Sequence, residues 1–158
     1  MIKGVVIKKL AIHKDKRGLL MEFLRNDEPI FKKFGQVYMT LVKKGMVKAW
    51  HFHKKQDDHF ICVEGKALVG LFDMRKKSPT YNQGQKIIIS APDLLGEHVL
   101  IKIPKGVAHG FCAYQYKHTK IINIPTKHYD YENPDEYRFS WNDPNIKFRW
   151  PKDIKYGG

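Results

Sequence analysis

The 158-residue chain has only two cysteines, Cys62 and Cys112, and both lie in apolar runs, "FICVEG" and "HGFCAY". A disulfide framework needs more of them, so both read as reduced, buried thiols of a cytosolic protein. Long apolar runs are also missing. Nothing approaches the roughly 20 residues that cross a bilayer, and "MIKGVVIKKLAIHKD" is too short and too broken by lysine for a signal peptide. Acidic residues are scarce, 16 against 29 Lys and Arg, for a formal charge of +13. The excess is mostly lysine in scattered pairs such as Lys8-Lys9, Lys32-Lys33 and Lys54-Lys55, without an arginine-rich block or a nucleic-acid motif. The expectation is a soluble, cytoplasmic protein with no nucleic-acid or membrane partner. The lysines read first as a solvated surface; the functional alternative is a field that steers an anionic small ligand such as a nucleotide diphosphate. There is no internal repeat, linker or low-complexity segment, and the length predicts one domain over residues 1–158.

What is present is a core and many short strands. Apolar residues make up 42% of the chain and aromatics 13%, enough to bury a real interior and to argue against disorder. The runs "GVVIKKLAIH", "GQVYMTLVKKG", "QKIIISAP", "EHVLIKIPKG", "HGFCAYQY" and "KIINIPT" read as strands. "FICVEGKALVGLFDMR" has two apolar runs broken at Glu64-Gly65, a hairpin signal. Turn residues recur from Gly45 to Gly106 at the spacing of an all-β sandwich or barrel. "DEPIFKKFG", residues 27–35, is the one helical candidate, ending at Gly35. The tail after Thr126 is polar and aromatic; Trp141, Phe148 and Trp150 predict that it packs on the barrel rather than standing in water.

Three of the eight histidines fall in "VKAWHFHKKQDDHF". On a strand, the i, i+2 spacing of His51 and His53 points both rings to one face. Two such imidazoles make a metal site, an acid/base pair or a surface accident. The context is G-x5-H-x-H-x4-D-x6-G from Gly45 to Gly65, followed by Pro104, Gly106 and His109 in "PKGVAHG". These segments resemble the two signatures of the cupin superfamily, with Asp58 where the first has Glu. The resemblance implies an all-β cupin jelly-roll β-barrel with few short helices and with His51, His53 and His109 facing its interior. By alternation His59 is expected at the surface, and Tyr38, Trp50 and Phe111 mostly in the core.

Five segments resemble a narrower group, the dTDP-4-dehydrorhamnose 3,5-epimerase family: "HKDKRGLLMEF", "VKAWHFH", "DMRKKSPTY", "IPKGVAHGF" and "WNDPNIKFRWP". They run in the family's order from Asp15 to Pro151. The resemblance implies an isomerase of cell-surface polysaccharide biosynthesis that epimerises a nucleotide-linked 4-keto-6-deoxy sugar by removing protons beside the ketone, without a cofactor, as a homodimer paired through its N-terminal strands. His51 takes the place of the family's base, which suits a group whose pKa lies near neutrality. Lys48 stands where the family has arginine and supplies positive charge to the enolate oxygen. Arg17, Glu22, Gln36, Arg75, His109 and Tyr129 match or neighbour positions that bind substrate, with Arg17 and Arg75 expected on the diphosphate.

The chain also departs from that pattern. Asn123 stands at the family's catalytic tyrosine, Asp57 near its lysine, and His53 at its glutamine. "HFHKK" is similar to the H-A-H-K stretch of sugar 3,4-ketoisomerases, in which two histidines shuttle protons, so His53 is a second catalytic candidate. A metal-dependent cupin is the further alternative, with His51, His53, Asp58 and His109 on a divalent ion.

Overall fold

The β-rich runs become thirteen strands in the computed structural model, which describes residues 1–158. The first four are β1 (Val6–Lys9), β2 (Ile12–Asp15), β3 (Gly18–Met21) and β4 (Tyr38–Lys43). Then come β5 (Met46–Phe52), β6 (Asp58–Glu64), β7 (Lys66–Asp73), β8 (Gly84–Ser90) and β9 (Val99–Ile103). β10 (Val107–Ala113), β11 (His118–Asn123), β12 (Tyr137–Arg138) and β13 (Tyr156–Gly157) complete the chain. One sheet has the order β1-β9-β6-β11-β4 and the other β12-β5-β10-β7-β8, with β13 also on β5. Every pairing is antiparallel except β13 with β5. The fold is a jelly roll of two open sheets packed face to face. β2 and β3 pair only with each other, apart from both.

From β4 to β11 consecutive strands change sheet, except that β7 and β8 pair as a hairpin. β6 and β7, expected as a hairpin, pair with different neighbours, so the chain crosses between sheets at Gly65. Gly65 has φ +71°, and a Cβ there would lie 2.5 Å from the His118 carbonyl oxygen. Only glycine meets both demands. The main core lies between the sheets and includes Phe60, Val69, Leu71, Ile101, Phe111 and Ile121. The outer face of the second sheet buries Trp50, Leu68 and Phe72 beneath Phe148 and Trp150 of the tail, as the tail's aromatic content predicts. Central strands with both faces covered lose the alternation of a half-buried strand: β10 is buried throughout, whereas exposed positions recur along β8.

The chain contains no helix, which corrects both the expected short helices and the candidate at residues 27–35. That segment forms turns because its polar groups are held elsewhere. Glu28 binds the Lys8 ammonium, Lys32 reaches Asp57 at 2.6 Å, and the Gly35 amide donates to the Pro125 carbonyl. Ile30 packs with Leu10, Ile61 and Leu100 on the outer face of the first sheet. This cover also buries His59, expected at the surface: it is 1% exposed, with Nδ1 2.7 Å from the Ile124 carbonyl oxygen.

One irregularity positions the histidines. His109 of β10 pairs with His51 of β5 and Phe111 with Lys48, so β5 spends one residue more than β10 between the two pairs. This is a β-bulge. Ala49 and Trp50 both pack into the outer cluster, and Lys48, His51 and His53 return to the inner side. Gly110 lies opposite the extra residue, where a Cβ would sit 2.3 Å from the Ala49 Cβ and 2.5 Å from the Lys48 carbonyl oxygen. Replacing Gly110 by alanine should therefore destabilise the fold by about 2 kcal/mol or more, lowering the melting midpoint by on the order of 5 °C. Thermal unfolding followed by circular dichroism would reveal an unchanged midpoint if β5 can relax around the added methyl.

Candidate active site

At one end of the sandwich, β4, β5 and the returning tail surround a cavity of about 680 Å³. That size accommodates a small organic ligand. Tyr38, His51 and His53 line it from the strands; residues 33–36, Lys55, Gln56 and much of the tail from Thr126 to Arg138 line the rest. The tail is anchored there by backbone pairing. β12 pairs with His51 and Phe52, and Trp50 and Phe139 exchange two backbone hydrogen bonds. The Asp135 carboxylate accepts from the Lys54 and Lys55 amides, and its carbonyl accepts from the His53 ring Nδ1. Lys33, Lys55 and Lys127 contribute positive charge to the wall, Glu136 and Asp130 negative charge.

Behind the wall lies a buried polar network. The Nε2 atoms of His53 and His109 each lie 3.3 Å from Asp58 Oδ2. The other carboxylate oxygen, Oδ1, accepts from Asn123 Nδ2 at 2.9 Å and from Gln56 Nε2 at 3.1 Å. Asn123 Oδ1 accepts the His59 amide at 3.0 Å, which fixes the orientation of the side-chain amide. Its Nδ2 also donates to the Tyr38 hydroxyl at 2.8 Å. His109 Nδ1 donates to the Val107 carbonyl. Burial holds the His109 ring far below an ordinary histidine, to about 4, against the opposing pull of Asp58. Its Nε2 therefore offers a lone pair at neutral pH. One ligand atom from each of His53, Asp58 and His109 can be gathered within 4.8 Å, an arrangement able to hold a divalent cation or a shared proton. His51, included in the metal set drawn from the sequence, stays outside this trio.

His51 itself carries the chemistry a base needs. Burial lowers its pKa, with Glu136 opposing and Arg138 reinforcing the shift, so the ring is free base at neutral pH. Its Nε2 is buried without a hydrogen-bond partner, while the ring stands on the cavity wall. Lys48 lies on the same inner side of β5 but not on the cavity wall; it donates to Thr40 Oγ1 of β4 at 2.8 Å, fastening the two sheets.

Of the other sequence candidates, Gln36 and Tyr129 line the cavity, joined by a 3.2 Å bond from the Tyr129 amide to Gln36 Oε1. Arg17, Glu22 and Arg75 are not brought there. Arg17 is exposed on the β2–β3 hairpin and paired with Asp15; Glu22 lies 3.7 Å from Arg25. Arg75 is spent on structure. With Ser78 and Thr80 it saturates the fully buried Asp73 carboxylate, and it donates to the Lys3 carbonyl. That network holds the Asp73 carboxyl far below the usual range. Tyr38, read as mostly core, stands 43% exposed on the cavity wall. Its position directly across from Asn123 in the β4–β11 ladder was the missing signal, and strand register is not written in either segment alone.

The family model for dTDP-4-dehydrorhamnose 3,5-epimerase matches residues 1–156. The chain belongs to the dTDP-4-dehydrorhamnose 3,5-epimerase family. It is thereby an isomerase of the sugar-nucleotide epimerase class. Among relatives of this epimerase family, the spore coat polysaccharide biosynthesis protein SpsL of Bacillus subtilis (strain 168) is 37% identical over 98% of this chain and 100% of its own. The probable low-salt glycan biosynthesis epimerase Agl13 of Haloferax volcanii is 36% identical over 97% of both chains. The crystal structure of a dTDP sugar isomerase from Desulfovibrio desulfuricans G20 superposes with a TM-score of 0.86 at 28% identity, over 94% of this chain and 92% of that one.

The His109 environment gives this epimerase-family fold a pH signature. The unfolded imidazole binds a proton below about 6.5, whereas the folded one does so only near 4. Between those values the unfolded state binds more protons, so stability falls as pH falls. Urea midpoints should drop from pH 7.5 to pH 5. The acid-side slope should shrink in His109→Gln.

Proposed function

We propose that the whole chain, residues 1–158, epimerises a nucleotide-linked 4-keto-6-deoxy sugar by proton abstraction beside the ketone, in the biosynthesis of a cell-surface polysaccharide. The observation that carries this reading is His51, a free-base imidazole on the wall of a ligand-sized cavity within the epimerase fold. The names of the two relatives, spore coat polysaccharide and glycan biosynthesis, support the pathway.

In this reading the sugar enters beside His51, whose imidazole takes a proton from the carbon next to the ketone. That carbon is acidic because its electron pair delocalises onto the ketone oxygen, and the Lys48 charge favours the resulting enolate. His53, clamped by the tail, stands ready on the same strand face to relay a proton. Gln36 and Tyr129 contact the sugar, and His109 supports the site from behind. Lys33, Lys55 and Lys127 meet the diphosphate, the part of that task the sequence assigned to surface lysines alongside Arg17 and Arg75. A divalent cation on His53, Asp58 and His109 is the second reading, favoured by the convergence of two imidazole nitrogens on one carboxylate oxygen. Bound there, it would supply Lewis acidity.

The test is proton NMR of dTDP-4-keto-6-deoxyglucose incubated with the enzyme in D₂O. Deuterium is expected at C3, C5 or both, with a loss of at least about 10²-fold in His51→Ala and no change on adding a chelator. Exchange undiminished in the variant would remove His51 as base. A 3-keto product would identify a ketoisomerase, and activity lost to chelator and restored by zinc would establish the cation.

The proposal includes a homodimer. The detached β2–β3 hairpin exposes Leu19 and Leu20 beside Arg17, a surface suited to a second copy. Light scattering should give twice the 18.5 kDa chain mass, and a monomer at micromolar concentration would count against it.

A further inference from the structure

Inverting a carbon needs two proton-bearing groups on opposite faces of the sugar, and His51 and His53 lie on one strand face. The cavity wall opposite must supply the second. Three tyrosines line the cavity: Tyr38, Tyr129 and Tyr131. Tyr129 and Tyr131 stack edge-to-face on each other at 5.0 Å on the tail, with Tyr131 90% exposed. Tyr38 is built into the sheet.

Two geometric facts single it out. The first is position. Lys48 of β5 touches Thr40 of β4, which fixes how the two strands lie beside each other across the gap between the sheets. The chain turns between them, so they run in opposite directions. Tyr38 lies two residues back from Thr40 on the same strand face, and His51 lies beyond Lys48 on the inner side of β5 after the bulge. The two side chains therefore face the same cavity from different sheets. The second is the direction of the hydroxyl proton. Asn123 Oδ1 is taken by the His59 amide, so it is Nδ2 that meets Tyr38, and the phenol oxygen is the acceptor. The O–H bond donates to no protein group and is free to point at a ligand. Burial, and then the charge of Asp58, push this phenol up to about 12, which keeps it protonated at neutral pH.

We propose that Tyr38 is the acid partner of His51, delivering the proton that inverts the carbon, and that Asn123 is its positioning residue. This rests on the epimerase reading above. The His51 imidazole takes the C–H proton, and the electron pair becomes the enolate. The Tyr38 O–H bond then breaks as a new C–H bond forms on the opposite face and the ketone is restored. Solvent returns the proton from the imidazolium to the phenolate, so no other reactant is consumed. The arrangement explains how a chain with asparagine at position 123 keeps a hydroxyl at the site: the side chain directly across the β4–β11 ladder supplies it, and the asparagine holds it.

The experiment uses full-length Tyr38→Phe with dTDP-4-keto-6-deoxyglucose in D₂O. This variant removes one oxygen from a half-exposed ring and leaves the sheet intact. Expected is a split: deuterium still enters the substrate with retained configuration, within about tenfold of the wild-type rate, while inverted product falls by about 10²- to 10⁴-fold. Asn123→Ala should lower kcat for inversion less, by about tenfold, with KM unchanged, as the phenol loses its fixed orientation. Inverted product at the wild-type rate from Tyr38→Phe overturns the proposal and leaves the epimerase reading standing. The same split in Tyr129→Phe or Tyr131→Phe, but not in Tyr38→Phe, moves the role to the tail. Absence of any exchange by the wild-type protein takes down both readings.

Discussion

The extra residue of β5 opposite Gly110 is the constraint from which the site follows. A regular strand would alternate without interruption, and Trp50 would face the cavity or the histidines would face outward. The bulge lets one strand do two incompatible things. Ala49 and Trp50 go out together beneath Phe148 and Trp150, and His51 and His53 turn in. The glycine in "AHGF" is therefore a packing requirement of its neighbour strand, felt at His51. Substrate contact need not enter the explanation.

The second organising element is a polar network placed where a sandwich normally keeps apolar residues. Asp58, 1% exposed, receives two amide donors on Oδ1, while its Oδ2 faces two imidazole nitrogens across a gap that a shared proton would close. Buried carboxylates without such partners are costly. The network spans both sheets, from His53 and His109 on the second to Asp58 and Asn123 on the first, and ends at the Tyr38 hydroxyl on the cavity wall. It rigidifies the cavity floor and sets the electrostatic background for His51.

Much of this was legible in the chain. The strand runs, the tail's need for cover and the common face of His51 and His53 follow from period-two alternation and the cost of exposed aromatics. What local pattern could not show was anything decided by a partner distant in sequence. The candidate helix at residues 27–35 yields to ties with Lys8, Asp57 and Pro125. His59 alternates away from the inter-sheet core as expected, yet a covering segment buries it. The pair Glu64-Gly65 marks a tight turn correctly, but the choice between a hairpin and a crossing of sheets depends on β9, β10 and β11. Arg75 carries the charge of a phosphate ligand, and Asp73 has already taken it. Tyr38 acquires its hydrogen bond through strand register, which no single segment contains.

The strand that carries His51, β5, also lies at what would be the open margin of its sheet. β10 covers one side of β5, and the returning tail covers the other through β12, β13 and the Trp50–Phe139 bonds. Stripped of that tail, β5 would present unpaired amides and carbonyls beside an exposed tryptophan, a template for pairing with other chains. The segment that closes the cavity thus guards against aggregation as well, and selection acting on the tail for solubility would preserve the geometry of the site as a by-product.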